Sequence, residues 1–193
     1  SIFNYGDIST VSFHATKLFH TIEGGAIITN DDKLYDKMYL YRAFGHLDDD
    51  YISMGINGRT SEFNAAMGLC NLPRVKDFIS KRKEISLLYK SCLINSPISF
   101  PEIPDNIKYN YSYFPVLFPS FELMLKVKDK LAESEIYPRR YFFPSLNKLP
   151  YLNGNICPVS ENITQRVLCL PLYQELEIKD VKFISEIIKN NLM

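Results

Sequence analysis

The residue types best suited to chemistry lie in two runs near the start of the chain, Val11-Ser12-Phe13-His14-Ala15-Thr16-Lys17 and Glu23-Gly24-Gly25-Ala26-Ile27-Ile28-Thr29. A lysine held between two buried strands differs from a surface lysine. Desolvation disfavours its ammonium form, so the neutral amine becomes a nucleophile toward carbonyls and aldehydes. Ser12 puts a hydroxyl within reach of the same place, where it would suit a phosphate. His14 lies between them and would either stack near a ligand or order the turn through a hydrogen bond. The plainer alternative, on residue types alone, is an exposed hairpin lysine beside a solvent-facing serine. Farther on, Asn57 sits in the glycine-punctuated loop Gly55-Ile56-Asn57-Gly58, where an asparagine either reaches a ligand or simply adopts a left-handed turn conformation. Arg139, Arg140 and Tyr141 form a third group. Guanidinium groups there suit a diphosphate or a carboxylate, and surface ion pairing is the competing account. His46-Leu47-Asp48-Asp49-Asp50 has metal-binding residue types but lacks the alternating spacing that lets oxygen ligands converge, and it reads as a solvated loop with no metal.

Positioning these residues needs strands on either side of Lys17. Asp7 to Phe13 alternates enough for one strand, and Gly25 to Thr29 reads as a second, apolar on both faces as in a covered sheet. Glu23-Gly24-Gly25 more naturally fixes backbone geometry than takes part in chemistry. Asn30 and Asp31 are N-cap types for a helix from Asp32 to Phe44, closed by Gly45. Thr60 or Ser61 starts a helix to Leu72 in which Ala65, Ala66 and Gly68 permit close packing. After Pro73 a long helix from about Arg74 to Leu93 carries the stripe Val75, Phe78, Ile79, Ile85, Leu88, Tyr89. The proline-rich stretch Ser96 to Pro104 is a linker. Beyond it the pattern predicts a strand at Tyr111–Phe118, a helix from Phe121 to about Ser134 and a strand at Tyr137–Phe142. A helix within Pro158–Leu168, a short strand at Cys169–Leu172 and a last helix from Ile178 to about Asn190 complete an α+β unit, its helices covering one face of a mainly antiparallel sheet.

Composition narrows the function classes. Lys+Arg and Asp+Glu are both 22, so the zero formal net charge implies no basic face for nucleic acid. The four cysteines show no C-x-x-C spacing, which argues against a zinc site or a disulfide framework. Cys70 and Cys169 lie in apolar patterns and are expected as buried, reduced thiols. No apolar run is long enough for a bilayer and no signal peptide is evident, so no membrane partner is expected and the cytoplasm is the default location.

The strings SFHATKLFHTIEGGAIITND, GINGRTSEFNAAMG, NYSYFP, PRRYFFP and RVLCLPL, in this order across nearly the whole chain, resemble the DegT/DnrJ/EryC1/StrS family of sugar aminotransferases that use pyridoxal phosphate (PLP). The resemblance implies an α/β fold of the aspartate aminotransferase type (fold type I). Residues 1–72 would be the C-terminal part of the PLP-binding large domain, and 73–193 a bridging long helix and the small C-terminal domain. Lys17 would be catalytic, holding the PLP aldehyde through its amine and then moving a proton. Relatives that dehydrate carry histidine at this place, so lysine favours transamination. Ser12 and His14 would contact the cofactor, and Asn57 would reach across a dimer interface to the partner's PLP phosphate, making a shared active site. Arg140 and Tyr141 would lie near the substrate.

The same resemblance implies transfer of an amino group, with glutamate as donor, to a nucleotide-linked ketosugar. A dTDP-4-keto-6-deoxyhexose used in O-antigen or other surface-polysaccharide synthesis fits best. Family members are about twice this length, so the chain reads as a C-terminal half. The aspartate that meets the pyridine nitrogen would lie upstream, and the fragment alone would not turn over. A non-catalytic binding or regulatory protein keeping the fold is the rival from another class.

Overall fold

The computed structural model describes residues 1–152 and 154–192, which divide into two compact units, Ser1–Lys76 and Asp77–Met193. In the first unit β1 (Ser9–Ser12) pairs antiparallel with β2 (Gly25–Ile28), Ser9 opposite Ile28 and Ser12 opposite Gly25. Helix α1 (Asp32–Arg42) follows, started by the Asp31 carboxylate accepting from the Leu34 N–H at 3.0 Å. It stops where the Gly45 N–H turns back to the Leu40 carbonyl at 2.8 Å. Gly45 has φ +77°, and a Cβ there would strike the Ser53 carbonyl. The acidic segment after it is a small hairpin, β3 (His46–Leu47) with β4 (Asp50–Tyr51), rather than an open loop. Helix α2 (Glu62–Asn71) is capped by Ser61, whose hydroxyl accepts from the Asn64 N–H at 3.2 Å.

Helix α3 (Val75–Leu93) begins at the boundary and runs through the start of the second unit. There β5 (Phe114–Leu117) pairs antiparallel with β6 (Val167–Leu170), and single bridges extend the ladder from Leu117 to Ser99 and from Cys169 to Arg139. Helices α4 (Phe121–Ala132), α5 (Pro158–Arg166) and α6 (Ile178–Asn190) complete it. One apolar cluster joins Ile85, Tyr89 and Leu93 of α3 with Phe114 and Val116 of β5. It continues through Met124, Val127 and Leu131 of α4, Leu168 and Leu170 of β6, and Val181, Ile184 and Ile188 of α6. Burial of such side chains contributes about 1.5–3 kcal/mol each before conformational entropy is counted, and this is what holds the unit together.

The two units differ in this respect. Every buried apolar side chain among the described residues belongs to the second unit. In the first, Ile27, Tyr51, Met54, Ile56, Phe63, Leu69 and Leu72 are all exposed, and its buried residues are Thr21, Gly45 and Gly68.

Several expectations change. The β1–β2 ladder is not covered on both faces, because each strand alternates between exposed and half-buried residues. The predicted strand at 137–142 reduces to the single bridge at Arg139. The strand predicted from Tyr111 starts at Phe114, since Tyr111 takes φ +53° and breaks the extended path. All four residues of β6 are buried, so the small sheet is covered on more than the one face expected. Cys169 is buried, and burial pushes its thiol up to about 11, whereas Cys70 is exposed. No helix among the described residues is long and apolar enough to cross a membrane.

Candidate functional site

The turn carrying Lys17 is fixed by its backbone. Phe13, just past β1, donates its N–H to the Gly24 carbonyl at 2.9 Å and accepts from the Thr21 N–H at 2.9 Å, so residues 14–20 form a closed loop on the β1–β2 ladder. Within the loop His14 is the hub. Its carbonyl accepts from the Lys17 N–H at 2.9 Å, and its Nδ1 lies 2.9 Å from Thr16 Oγ1 and accepts from the Thr16 N–H at 3.2 Å. Its Nε2 is 3.5 Å from Glu23 Oε1. The Ser12 hydroxyl accepts from the His14 N–H at 3.4 Å. Ser12, His14 and Lys17 therefore belong to one turn, and of the two roles read for His14 the structure displays the ordering one.

Helix α2 braces the return limb. Asn71 Nδ2 donates to the His20 carbonyl at 3.0 Å, and a Cβ on Gly68 would lie 3.0 Å from Thr21 Cγ2, so a larger residue there would push the Thr21 side chain aside. Phe13 and Phe19 meet edge to face at 5.1 Å inside the turn. Gly24 and Gly25 are needed for closeness too. A Cβ would come within 2.4 Å of Thr21 Oγ1 at the first and within 2.6 Å of the Val11 carbonyl oxygen at the second. Lys17 itself is exposed, and its amine has no hydrogen bond or ion pair among the described residues. The burial anticipated around it is not supplied by Ser1–Lys76.

Asn57 lines a cleft of about 590 Å³ with Glu23, Gly24 and Gly25 of the return limb and with Tyr39, Arg42 and Arg59; Ser12, His14 and Lys17 do not line it. Its loop is zipped to the end of α1: Ile56 N–H donates to the Tyr41 carbonyl at 2.7 Å and Gly58 N–H to the Arg42 carbonyl at 2.8 Å. Arg42 lies over the Tyr39 ring at 4.9 Å and Arg59 over the Phe44 ring at 5.0 Å. Neither arginine is among the candidate residues that stand out in the sequence. Arg59, next to the Gly55–Gly58 loop, was the findable one, whereas Arg42 looks in sequence like any last-turn helix cation.

In the second unit Arg139 and Arg140 diverge. Arg139 is exposed and donates to the Tyr141 hydroxyl. Arg140 lies 3.6 Å from the centroid of the Phe143 ring and 5.6 Å from that of Phe121, and donates to the Gln165 carbonyl at 3.2 Å. Burial holds the Arg140 guanidinium below its ordinary value. Tyr141 packs edge-on against Tyr113 at 5.5 Å.

A family model of the DegT/DnrJ/EryC1/StrS aminotransferases matches residues 1–189. The chain is 37% identical over 197 residues to a dTDP-4-amino-4,6-dideoxy-D-glucose transaminase of Shigella dysenteriae, covering 98% of this chain and 54% of that protein. It is 31% identical to the GDP-perosamine synthase of Escherichia coli O157:H7, covering 94% and 51%. Among solved structures it superposes on the Helicobacter pylori aminotransferase PseC, involved in pseudoaminic acid biosynthesis, with TM-score 0.81 and 26% identity over 97% of this chain and 54% of that one. The chain thus spans about half the length of the curated relatives it matches.

Proposed function

The chain belongs to the DegT/DnrJ/EryC1/StrS aminotransferase family, and we propose that it is the C-terminal half of a PLP-dependent sugar-nucleotide aminotransferase. The fold is mixed α/β, as in the solved sugar aminotransferases, and corresponds to fold type I. The observation that carries the functional reading is the Lys17 amine, unpaired on a turn whose backbone is locked on both sides.

The donor set suits PLP. An aldehyde needs a primary amine that is not tied up in an ion pair, and Lys17 offers one. A phosphate needs hydrogen-bond donors, and Ser12 Oγ, already accepting from the His14 N–H, keeps its own proton to give. When bound, PLP supplies the electron sink that lets an amino acid lose its Cα proton. The chain's own residues do the rest. Lys17 Nζ would hold the cofactor's aldehyde carbon and, when free, would take and return a proton through its lone pair. His14 keeps the turn closed, and Glu23 holds its ring from the return limb. Asn57, outside this turn, serves the phosphate of a second subunit, so the working enzyme is a homodimer with shared sites.

The substrate we propose is a dTDP-4-keto-6-deoxyhexose, with glutamate as amino donor, in cytoplasmic synthesis of surface polysaccharide such as O-antigen. Identity to the Shigella transaminase over nearly all of this chain supports that choice. The test is made in the full-length protein. Borohydride reduction after incubation with PLP should fix a pyridoxyl mass on the peptide containing Lys17, and Lys17→Ala should abolish it. Glutamate and dTDP-4-keto-6-deoxyglucose should then yield an amino sugar detectable by mass. Absence of the pyridoxyl mass from folded wild-type protein would sink the enzyme reading and favour a non-catalytic binding protein of the same fold. These 193 residues alone should show no turnover.

A further inference from the structure

The two neighbouring arginines of the second unit are built for opposite purposes. Arg139 is fixed at its backbone, donating its N–H to the Cys169 carbonyl at 3.1 Å and accepting from the Cys169 N–H at 2.8 Å. Beyond that bridge the two side chains go to different partners, Arg139 to the Tyr141 hydroxyl and Arg140 to the Phe143 ring and the Gln165 carbonyl.

On one side Arg140 is consumed by the protein. Its guanidinium lies 3.6 Å from the centroid of the Phe143 ring and 5.6 Å from that of Phe121 and donates to the Gln165 carbonyl, and its Nε is buried with no hydrogen-bond partner among the described residues. On the other side Arg139 is exposed. Its one hydrogen bond and its ring contact, at 5.5 Å, are both to Tyr141. Tyr141 is itself held by Tyr113, edge-on, and by Phe142, stacked at 4.6 Å. A guanidinium has more N–H donors than this single bond uses, and among the described residues no carboxylate pairs with it. The Tyr141 oxygen accepts from Arg139, so its own O–H is left to donate outward.

We propose that Arg139 and the Tyr141 hydroxyl together form a pre-set clamp for an anionic oxygen group of the substrate, a carboxylate or a phosphate, while Arg140 is a packing residue. The clamp rests on the aminotransferase reading only for the identity of its ligand. The geometry is economical because the aromatic wall holds the tyrosine before any ligand arrives, so little side-chain freedom is lost on binding.

The experiment uses the full-length protein with Arg139→Ala, Arg139→Lys, Tyr141→Phe and Arg140→Ala, reading KM for glutamate, KM for the nucleotide sugar and melting temperature. dTDP binding by calorimetry is measured in parallel. Arg139→Ala should raise one of the two KM values by about 10-fold or more, as expected for loss of a charge-assisted hydrogen bond, without moving the melting temperature. Arg139→Lys should recover only part of it, and Tyr141→Phe should give a smaller rise in the same KM. A rise confined to glutamate assigns a carboxylate; a rise confined to the nucleotide sugar, with weaker dTDP binding, assigns a phosphate. Arg140→Ala should lower the melting temperature instead. Unchanged KM values and dTDP binding in Arg139→Ala, or a raised KM without thermal loss in Arg140→Ala, would overturn the assignment. If the pyridoxyl mark forms on Lys17 while Arg139→Ala changes nothing, the clamp fails and the enzyme reading stands. Weakened dTDP binding in Arg139→Ala with no mark on Lys17 gives the converse result.

Discussion

Leu131→Ala tests where this chain keeps its core. Leu131 is fully buried on α4, in the cluster with β6 and α6. Truncation removes three methyl or methylene groups' worth of burial, about 2.4 kcal/mol at ~0.8 kcal/mol each. A partly collapsed cavity of ~50 Å³ adds about 1.2 kcal/mol at ~24 cal/mol/Å³. The total, about 3.5 kcal/mol, is a large share of the roughly 6–17 kcal/mol expected for a unit of this length. With an unfolding entropy of ~2.1 cal/mol/K per residue, the melting temperature of the second unit should fall by about 14 °C. The assay is far-UV circular dichroism with heating, alongside the fluorescence of the many tyrosines in a chain without tryptophan. The comparison is Leu69→Ala. Leu69 is as apolar as Leu131 but is 73% exposed in the first unit, and its truncation in this chain should cost under about 0.5 kcal/mol. In a full-length protein whose further residues cover this unit, as the proposed function implies, Leu69→Ala should cost several times more. Equal costs for Leu131 and Leu69 in the 193-residue chain would refute the claim that only the second unit is independently cored.

Other outcomes are as specific. Tyr89→Phe should be neutral or stabilise by about 1–2 kcal/mol in urea melts, because the fully buried Tyr89 hydroxyl has no hydrogen-bond partner. Burial raises the Tyr89 hydroxyl above its ordinary value, so the neutral form is the one the fold favours. Stability is therefore intact below pH ~10 and declines as pH rises beyond it, and Tyr89→Phe should flatten that alkaline decline. Glu161 shows the opposite sign. Its carboxylate accepts from the Cys157 N–H at 2.9 Å and Asn147 Nδ2 at 2.7 Å and pairs with Lys148 at 3.1 Å, which together hold it below the ordinary carboxylate value. That contribution is present above the ordinary value of 4.5 and is lost as pH falls through the depressed one, so Glu161→Gln should lessen the acid dependence of the melting temperature. Gly25→Ala drives a methyl against the Val11 carbonyl and should reduce pyridoxyl marking of Lys17 in the full-length protein, as mass spectrometry would report.

Local chemistry made the helices easy to read. Asp31, Ser61 and Ser120 are cap residue types, and each does cap its helix through a side-chain oxygen. The last helix has the predicted limits because an apolar stripe at helical spacing leaves little choice of face. What failed depended on other parts of the chain. The single bridge left at Arg139 depends on Cys169, far along the chain, and nothing in the residue type of Tyr111 announces its left-handed backbone. At the candidate site, the grouping of Ser12, His14 and Lys17 follows from their nearness in sequence. The setting of Arg140 depends on Phe121 and Gln165, both distant along the chain. The exposure of Cys70 and Lys17 was invisible for a further reason. An apolar pattern announces a face that wants cover without saying which polypeptide provides it.

That uncovered face has a consequence for the life of the polypeptide. Phe63 is 87% exposed and Met54 92%. A ribosome releasing these 193 residues by themselves would hand the cell a sound C-terminal unit tethered to a sticky N-terminal one, the kind of surface chaperones retain and proteases clear. Its abundance would then be set by the supply of whatever polypeptide covers that face, more than by its own synthesis rate.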